Sequence, residues 1–289
     1  ASEVAARLGD VWEGRAMPEG SVSTGFADLD ALLGGFRAGQ LVVVAGSTGM
    51  GKTTVAVNFA RRAVLEERTP LLFSLEMSRE EVVRNVLAAE AGVATTRLHD
   101  PARLTVADRD SLHAAQRLID LRRLRIQDAP DVTPSRIRSI ARRERRLHGI
   151  DLVVVDYVQL VRPDGGRRGR DSREEEVASV SRALKALARE AGIPVLALAQ
   201  LNRGPDTRDD HRPRLSDLRE SSAIAHDADV VLGVFRESHF KPDDATLRNR
   251  LDVLVLKQRN GPTGRVPLRY RPEFARLDDH DAPLRGDSR

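Results

Sequence analysis

Cysteine is absent from the 289-residue sequence, and aromatic residues make up only 3% of it. Without cysteine there are no disulfide bridges and no cysteine-based metal site. So few aromatic rings disfavour a nucleic-acid site built by stacking many bases. No apolar run approaches the length of about 18 residues that a membrane-spanning helix needs, and no signal peptide is recognisable, so we expect a soluble, cytoplasmic protein.

Lysine is also scarce, since only four of the 47 basic residues are lysines (positions 52, 185, 241 and 257) and the rest are arginines. The net charge is +4, a small basic excess that permits a polyanionic partner without requiring one. Apolar residues make up 40% of the sequence, which is enough for a sizeable core. The length fits one large α/β domain or two small ones.

A glycine-rich stretch after a run of buried-strand residues is the strongest motif. It has the pattern G-x-x-x-x-G-K-[ST] of a nucleoside-triphosphate phosphate loop. Glycines let the backbone N–H groups approach the phosphates, a lysine reaches the β- and γ-phosphates, and a Ser or Thr hydroxyl holds Mg²⁺. The following helix adds the positive end of its dipole. The predicted nucleotide-binding residues are Gly46, Ser47, Thr48, Gly49, Met50, Gly51, Lys52, Thr53 and Thr54.

Strands and helices alternate along the rest of the chain. The Val- and Leu-rich strands are nearly continuously apolar, which is typical of a parallel sheet covered on both faces. The predicted fold is therefore an α/β phosphate-loop NTPase core in one domain. The predicted strands are 41–45, 70–75, 124–127, 152–155, 194–199, 229–235, 251–256 and 266–270, and the predicted helices are 54–63, 78–90, 105–123, 133–148 and 173–191.

The composition divides the chain into a central domain and two ends. We expect residues 1–20 to form a linker with a short amphipathic helix, residues 21–277 to form the domain, and residues 278–289 to form a flexible tail. Two long polar segments, 162–172 and 201–222, interrupt the domain. Loops of this length within a compact domain are usually functional or disordered.

Three polar residues follow predicted strands, where they would meet the phosphate loop at one edge of the sheet. Asp156 is placed to bind Mg²⁺ through water. Glu76 is placed to orient the attacking water as a general base, although a helix-capping or solvated glutamate is the alternative. Gln200 is suited to sense the γ-phosphate, although its position alone does not decide this.

A turn with two cations, Lys257 and Arg259, follows the strand predicted at 251–256. Arg259 could stabilise the transition state at a neighbouring subunit, an effect worth about 10³-fold or more in rate. The alternative is a basic hairpin that contacts only solvent.

Together these stretches resemble the C-terminal motor domain of the DnaB family of bacterial replicative helicases, within the RecA-like ATPases. The resemblance covers about residues 21–277, with the motifs in the family's order. The matching stretches, besides the phosphate loop, are 24–30 (TGFADLD), 73–77 (FSLEM), 156–160 (DYVQL), 176–185 (EVASVSRALK), 199–203 (AQLNR), 215–221 (LSDLRES), 227–229 (DAD) and 257–264 (KQRNGPTG).

The resemblance implies a hexameric ring that hydrolyses ATP or another NTP with Mg²⁺ at its subunit interfaces and moves 5′-to-3′ along single-stranded DNA. By matching positions, Lys52 and Thr53 would bind phosphate and Mg²⁺, and Asp156 would be the metal-side carboxylate. Glu76 would be the base and Gln200 the γ-phosphate sensor. The remaining implied roles are contacts to the neighbour's nucleotide (Lys257 and Arg259, the latter as arginine finger) and contacts to DNA (Arg219, Glu220 and Ser222).

The sequence departs from the family pattern at two positions. Ser222 stands where glycine is usual, and His226 where glutamine is usual. We expect His226 to be a packed, neutral histidine rather than a proton switch. The family's separate N-terminal domain, which forms a collar and meets primase, is not matched, so primase and a helicase loader are expected as partners only through regions partly missing here.

Two other classes of function share these motifs. One is a RecA-like recombination or repair ATPase, against which the SLEM and DLRES stretches argue. The other is a nucleotide-gated assembly module without unwinding activity. The complete set of candidate catalytic residues argues against that second class.

Overall fold

The computed structural model describes residue 18 and residues 20–164, 172–202 and 204–281, with side chains at 219–222 excepted. The helix predicted within residues 1–20 and most of the basic loop predicted at 162–172 lie outside these ranges. The strands are β1 (Leu41–Gly46), β2 (Pro70–Ser74), β3 (Arg125–Gln127), β4 (Leu152–Asp156), β5 (Val195–Gln200), β6 (Val230–Phe235), β7 (Arg250–Gln258), β8 (Gly264–Arg271) and β9 (Arg276–Asp279).

Helices connect these strands. The α-helices are α1 (Ala27–Leu33), α2 (Lys52–Leu65), α3 (Arg79–Ala91), α4 (Thr95–Leu98), α5 (Val106–Leu118), α6 (Pro134–His148), α7 (Arg173–Ala191) and α8 (Ser222–Asp227). Short 3₁₀ segments include Val158–Leu160, Pro205–Thr207 and Leu215–Ser221. No helix in the described ranges is both long enough and apolar enough to cross a membrane.

Within the described residues the strands form a nine-stranded sheet in the order β3-β2-β4-β5-β1-β6-β7-β8-β9. The six strands from β3 to β6 in this spatial order pair in parallel. Strands β7, β8 and β9 continue the sheet beyond β6 with antiparallel pairings. Apolar side chains pack on both faces, in two separate clusters. The α/β, mainly parallel, doubly covered sheet that the sequence predicted is confirmed.

The parallel arrangement brings the candidate site residues to one edge. Strands β1, β2, β4 and β5 all end at the same side of the sheet, and their last residues are Gly46, Ser74, Asp156 and Gln200. Central strands are fully buried because β-branched and leucine side chains alternate onto two apolar faces. Ligands of such sheets bind outside the carboxyl ends of the strands.

Three departures from the prediction concern the end of helix α5, the end of the domain and the segment 201–222. Helix α5 ends at Leu118 rather than 123, because Ile119 turns into the core (2% exposed) and the Asp120 carboxylate accepts a bond from the Arg122 N–H at 3.1 Å. Strand β9 extends to Asp279, two residues past the boundary predicted at 277. The segment predicted as a long loop at 201–222 contains two 3₁₀ segments and the first residue of α8.

Candidate functional site

The phosphate loop lies between β1 and α2 and depends on two glycine conformations. Gly49 has φ 77° and Gly51, which caps α2, has φ 94°, both in the left-handed region that other residues rarely adopt. These conformations turn the chain sharply before Lys52 starts the helix. The Lys52 Nζ donates to the Ser47 carbonyl at 3.0 Å, so the side chain folds back over the loop. The loop is thus shaped to present N–H groups and one ammonium to an anion.

Two carboxylates lie near the lysine. Asp156 is the last residue of β4 and is 3% exposed, and burial raises its pKa to about 6 although the Thr53 hydrogen bond and the Lys52 charge oppose the shift. Glu76 is exposed, two residues beyond β2, and its charge also raises the pKa of Asp156. Burial lowers the pKa of Lys52, while Asp156 and Glu76 raise it. The four predicted residues Lys52, Thr53, Glu76 and Asp156 therefore belong to one electrostatic site.

The donor set around Asp156 suits Mg²⁺ that keeps most of its waters. Over the described ranges no group of three or more His, Asp or Glu side chains could hold a metal ion. Mg²⁺ usually binds one or two protein oxygens together with substrate phosphates and water. The hydroxyl of Thr53 and the carboxylate of Asp156, which are hydrogen-bonded to each other, provide such a pair.

The raised pKa of Asp156 predicts a pH-dependent requirement for Mg²⁺. Below its pKa of about 6 the carboxyl is protonated and loses the charge that attracts the ion, whereas above it the carboxylate is available. We expect the Mg²⁺ concentration for half-maximal binding of a fluorescent ATP analogue to rise about tenfold for each pH unit below the pKa. Asp156→Asn is the control, and its Mg²⁺ requirement should change less steeply, following only protonation of the terminal phosphate of the nucleotide. An equal requirement on both sides of the pKa in the unaltered protein would contradict the assignment.

Gln200 lies at the phosphate loop through a direct hydrogen bond. Its Nε2 donates to the Thr48 hydroxyl at 3.0 Å. Gln159 holds it from the other side, since the Gln159 Nε2 donates to the Gln200 carbonyl at 3.2 Å and its Oε1 accepts from the Gln200 N–H at 3.4 Å. In the sequence, 156–160 is recognisable only as a stretch that matches the family, which predicts no role for Gln159. The one feature that could have indicated Gln159 is its position, an amide three residues after a strand-ending aspartate.

Side chains from the segment that follows β6 and from β8 border the phosphate loop, and the sequence did not predict them. The guanidinium carbon of Arg236 lies 5.3 Å from the centre of the Tyr270 ring. A Cβ added to Gly51 would be 4.0 Å from the Tyr270 hydroxyl, and one added to Gly49 would be 3.7 Å from the His239 ring. Tyr270 is one of only two tyrosines in the chain, which was its one distinguishing feature in the sequence. The cation–π contact fixes the buried Tyr270 ring, and with it the hydroxyl that lies beside the loop.

Lys257 and Arg259 lie at the opposite end of the parallel strands from the phosphate loop, the end at which β1 and β6 begin. Strand β7 is antiparallel to β6, and Lys257 pairs with Val231 near the start of β6. Val231 is level with Val43 of β1, three residues before Gly46. The Arg259 N–H donates to the Asp229 carbonyl, one residue before β6, so the two cations lie three to five residues, or roughly 10 to 17 Å, from the start of the phosphate loop. These two cations therefore do not belong to the site formed by their own chain.

Backbone oxygens and one buried carboxylate hold these cations in place. The Lys257 Nζ donates to the carbonyls of Ala225 and Ala228 at 2.7 Å each, at the end of α8. The Arg259 guanidinium lies 3.4 Å from Asp229, whose carboxylate also accepts from the Leu41 N–H at 2.8 Å. Asp229 thus ties the start of β1 to the turn that carries Arg259.

The predicted DNA-binding residues fall on one segment. Arg219 and Glu220 lie in the 3₁₀ segment Leu215–Ser221, and Ser222 begins α8. Buried Asp217 anchors this segment, because both its carboxylate oxygens accept from the Arg208 guanidinium, at 2.6 and 2.8 Å. Its carbonyl accepts from the Asn202 N–H at 3.0 Å, two residues after Gln200.

His226 does not pack as predicted. Its side chain is 87% exposed, with Nδ1 3.6 Å from an Asp227 carboxylate oxygen. The prediction was wrong because the imidazole lies on the outer side of α8, while Ile224 of the same helix fills the core. Histidine as a residue type is found both buried and exposed, and residue type alone does not predict which side of a short helix is covered.

The fold and the loop with its carboxylates and amide define a phosphate-loop nucleotide-binding protein of the RecA-like class. The family model for the DnaB-like helicase C-terminal domain matches residues 21–279, and the chain belongs to that family. The resemblance noted in the sequence is therefore confirmed.

Curated relatives carry the same family name. The chain is 42% identical over 261 residues to the replicative DNA helicase DnaB of Leifsonia xyli subsp. xyli, covering 89% of this chain and 56% of that protein. It is 37% identical over 254 residues to the replicative DNA helicase DnaB of Geobacillus stearothermophilus, covering 88% and 55%. The chain spans a little over half the length of these relatives.

Solved structures agree on the fold. A DnaB-like replicative helicase, studied for its interactions with primase, superposes with a TM-score of 0.86 at 27% identity and covers 96% of this chain and 66% of its own. A second solved structure, which consists of an ATPase domain, superposes with a TM-score of 0.84 at 28% identity and covers 96% and 98%. The second comparison shows that the chain corresponds to nearly the whole of that ATPase domain.

Proposed function

We propose that this chain is the ATP-hydrolysing motor of a replicative DNA helicase, which moves 5′-to-3′ on single-stranded DNA and unwinds duplex as a hexameric ring. The observation that carries the proposal is the convergence of Lys52, Asp156, Glu76 and Gln200 on one phosphate loop. Membership of the DnaB-like family supports the choice of DNA as the track. An ATPase that had lost its function would have no need to keep this set of side chains.

The loop and its neighbours divide the work of binding ATP. The N–H groups of residues 46–54 and the Lys52 ammonium hold the phosphates, while the Thr53 hydroxyl and Asp156 hold hydrated Mg²⁺. Bound Mg²⁺ neutralises charge on the β- and γ-phosphates. The buried ring of Tyr270, with Arg236 against it, lies beside Gly51 and supports the loop from the side of the core.

Glu76 is the proposed base and Gln200 the proposed sensor. Glu76 is exposed at the carboxyl edge of the sheet, so it has the freedom to accept a proton from the attacking water. Gln200 contacts Thr48 of the loop, and two residues later the Asn202 N–H bonds the Asp217 carbonyl. This chain of contacts joins the γ-phosphate position to the segment 215–222, which we assign to DNA.

The DNA contact is assigned to Arg219, Glu220 and Ser222. One cation and backbone N–H groups per subunit hold phosphate without reading base sequence, as a translocating motor requires. Primase is a proposed partner, because the related replicative helicase was studied with primase. A helicase loader is proposed only from the resemblance of the sequence to the family.

Completion of the nucleotide site by a neighbouring subunit accounts for Lys257 and Arg259. Their place at the opposite edge of the sheet prevents contact with ATP bound to the same chain. If the turn with Lys257 and Arg259 faces the phosphate loop of the neighbouring subunit in a ring, both cations can contact the nucleotide bound there. A RecA-like recombinase is the runner-up, and filaments rather than rings in electron micrographs would favour it.

The Glu76→Gln variant tests this assignment. The substitution keeps the size and hydrogen bonding of the side chain but removes the base, so we expect normal ATP binding with hydrolysis at least about tenfold slower. Turnover of the unaltered chain should increase with single-stranded DNA. Glu273→Gln, at an exposed glutamate outside the site, is the matched control. Absence of DNA-stimulated turnover in the unaltered chain, or weaker ATP binding without slower chemistry in the variant, would contradict the proposal.

A further inference from the structure

Helix α6 has an unusual charge. Its fifteen residues include six arginines and one glutamate, a net +5, which exceeds the +4 of the whole chain. Its first turn has no acidic residue, whereas the first turns of α3, α5 and α7 each have at least one. Cations near a helix N-terminus and like charges four residues apart both weaken a helix. Basic residues in the last turn favour the helix C-terminus, but helix stability does not explain Arg136 and Arg138 near its start.

The arginines lie on the solvent side of α6. Ile137 and Ala141 are buried in the core, and the one acidic residue, Glu144, is also buried, bonded to Arg125 at 3.0 Å and to Arg143 at 3.1 Å. Glu144 thus does little to offset the charge that faces solvent. The helix packs against α7 and β2, which leaves its other side open.

A row of three exposed arginines runs along the solvent side of the helix where it borders α7. Arg138, Arg142 and Arg146 are spaced by four residues, or about 6 Å of helix rise each. Glu190 of α7 accepts from Arg138 at 2.9 Å and from Arg142 at 3.0 Å, while Arg146 has no ion pair among the described residues. One carboxylate shared between two guanidinium groups leaves donors free on both.

An open cavity of about 550 Å³ lies on this row. We call its lining the arginine face, and it consists of Ser135, Arg138, Ser139, Arg142, Arg143 and Arg146. We propose that the arginine face is a second nucleic-acid site, which binds the sugar–phosphate backbone and is separate from the segment 215–222. Guanidinium groups bind phosphate oxygens in pairs, and serine hydroxyls add single donors between them.

The lining favours a nucleic acid over an acidic protein. Protein interfaces depend on buried apolar or aromatic anchors at their centre, and the arginine face contains neither. The exposed Leu147 lies beyond the lining, at the end of the helix. A backbone of evenly spaced phosphates requires only charge and hydrogen-bond donors. The same chemistry fits single and double strands.

The course of α6 carries this site along the full length of the strands, on the far side of α7 from the segment 215–222. The helix begins after β3, at the carboxyl edge that holds the phosphate loop, and runs to the opposite edge before β4. A strand leaving the carboxyl edge would therefore follow the arginine face along about 22 Å of helix. The proposal depends on the proposed function only for the nature of the ligand.

The test compares two triple variants of equal charge. R138Q/R142Q/R146Q removes the row, and R103Q/R109Q/R117Q removes three exposed arginines elsewhere. Binding of a fluorescent oligothymidylate and of a fluorescent duplex is measured across salt concentrations. For the row variant we expect about tenfold weaker binding in low salt and a salt-dependence slope smaller by about 2 for the single strand or about 3 for the duplex. The nucleic acid, single strand or duplex, whose salt-dependence slope changes in the row variant is the one that the arginine face binds. The control should match the unaltered chain.

Three further measurements separate the explanations. R138K/R142K/R146K keeps the charge but not the paired donors, so it should keep the salt-dependence slope and lose only part of the affinity, which a folding defect in the glutamine variant would not explain. Arg219→Ala should leave residual DNA binding, which combination with the row variant then removes. If Arg219→Ala has no effect while the row variant weakens binding, the assignment of DNA to the segment 215–222 is wrong and the arginine face remains as the DNA site. Unchanged DNA binding and slope in the row variant, equal losses in both triple variants, or selective loss of polyglutamate binding would overturn the proposal.

Discussion

Replacing Lys52 with alanine is expected to abolish ATP turnover while the fold is retained. Lys52 is the one lysine of the phosphate loop, and its Nζ lies over the loop, 3.0 Å from the Ser47 carbonyl. A triphosphate bound there without the ammonium keeps the backbone donors but loses the only side-chain cation of the loop. Losing one positioned charge of this kind costs at least about 10²-fold in rate. We therefore expect turnover to fall by that factor or more.

The matched control is Lys241→Ala. Lys241 is 62% exposed and pairs with Glu237 at 2.7 Å, so the same substitution there removes a surface ion pair and should leave turnover unchanged. Steady-state hydrolysis, binding of a fluorescent ATP analogue and circular dichroism are compared for the two variants. Turnover of Lys52→Ala within threefold of the unaltered chain, with an unchanged spectrum, would rule out the loop as the catalytic site.

The parts of the site that follow strands could be predicted from the sequence. Asp156 and Gln200 each end a run of Val, Leu or Ala residues, and such runs are recognisable because parallel strands are buried on both faces. Once the strands are parallel, their last residues meet at one edge, so the proximity of these residues to Lys52 follows from topology. The phosphate loop itself is a local pattern whose conformation is set by its own glycines.

The parts that depend on packing between distant segments could not be predicted. Gln159 is positioned by its pairing with Gln200, 41 residues away, and Tyr270 reaches Gly51 across the sheet. Their sequence signals are weak, since Gln159 is only an amide three residues after a strand-ending aspartate and Tyr270 is only one of two tyrosines. Asp229 was recognised only as part of a matching motif, although it joins the start of β1 to Arg259. Such contacts arise after the strand order is set, and strand order is not encoded in any single segment.

The end of helix α5 shows how tertiary packing shortens a predicted element. Helical spacing continues in the sequence to residue 123, but the buried side chain of Ile119 turns the backbone out of the helix. The N-terminal boundary was correctly predicted at Thr105, where a capping box forms between Thr105 and Asp108. A local hydrogen-bonding motif is visible in the sequence, whereas a requirement to fill the core is not.

The action of Arg259 in a neighbouring site can be tested by mixing two inactive variants. Arg259 is held by Asp229 at the amino-terminal edge of β6, while the phosphate loop of its own chain is at the carboxyl edge. Arg259→Ala subunits therefore keep an intact loop but cannot complete the next site, and Lys52→Ala subunits have the reverse defect. An absent arginine finger removes about 4 to 7 kcal/mol of transition-state stabilisation, so each variant alone is expected to be nearly inactive.

Mixing the two variants should restore part of the ATPase activity. Some interfaces then pair an intact loop from one subunit with an intact Arg259 from the other, which neither pure variant can form. The recovered rate should rise with protein concentration, because it depends on assembly. Arg248→Ala, which removes an exposed arginine that precedes β7, is the control and should be active alone and gain nothing from mixing. If mixtures that assemble by sizing regain no activity above the sum of the two variants, Arg259 does not act on a neighbouring subunit, and the edge of the sheet that holds it has another function.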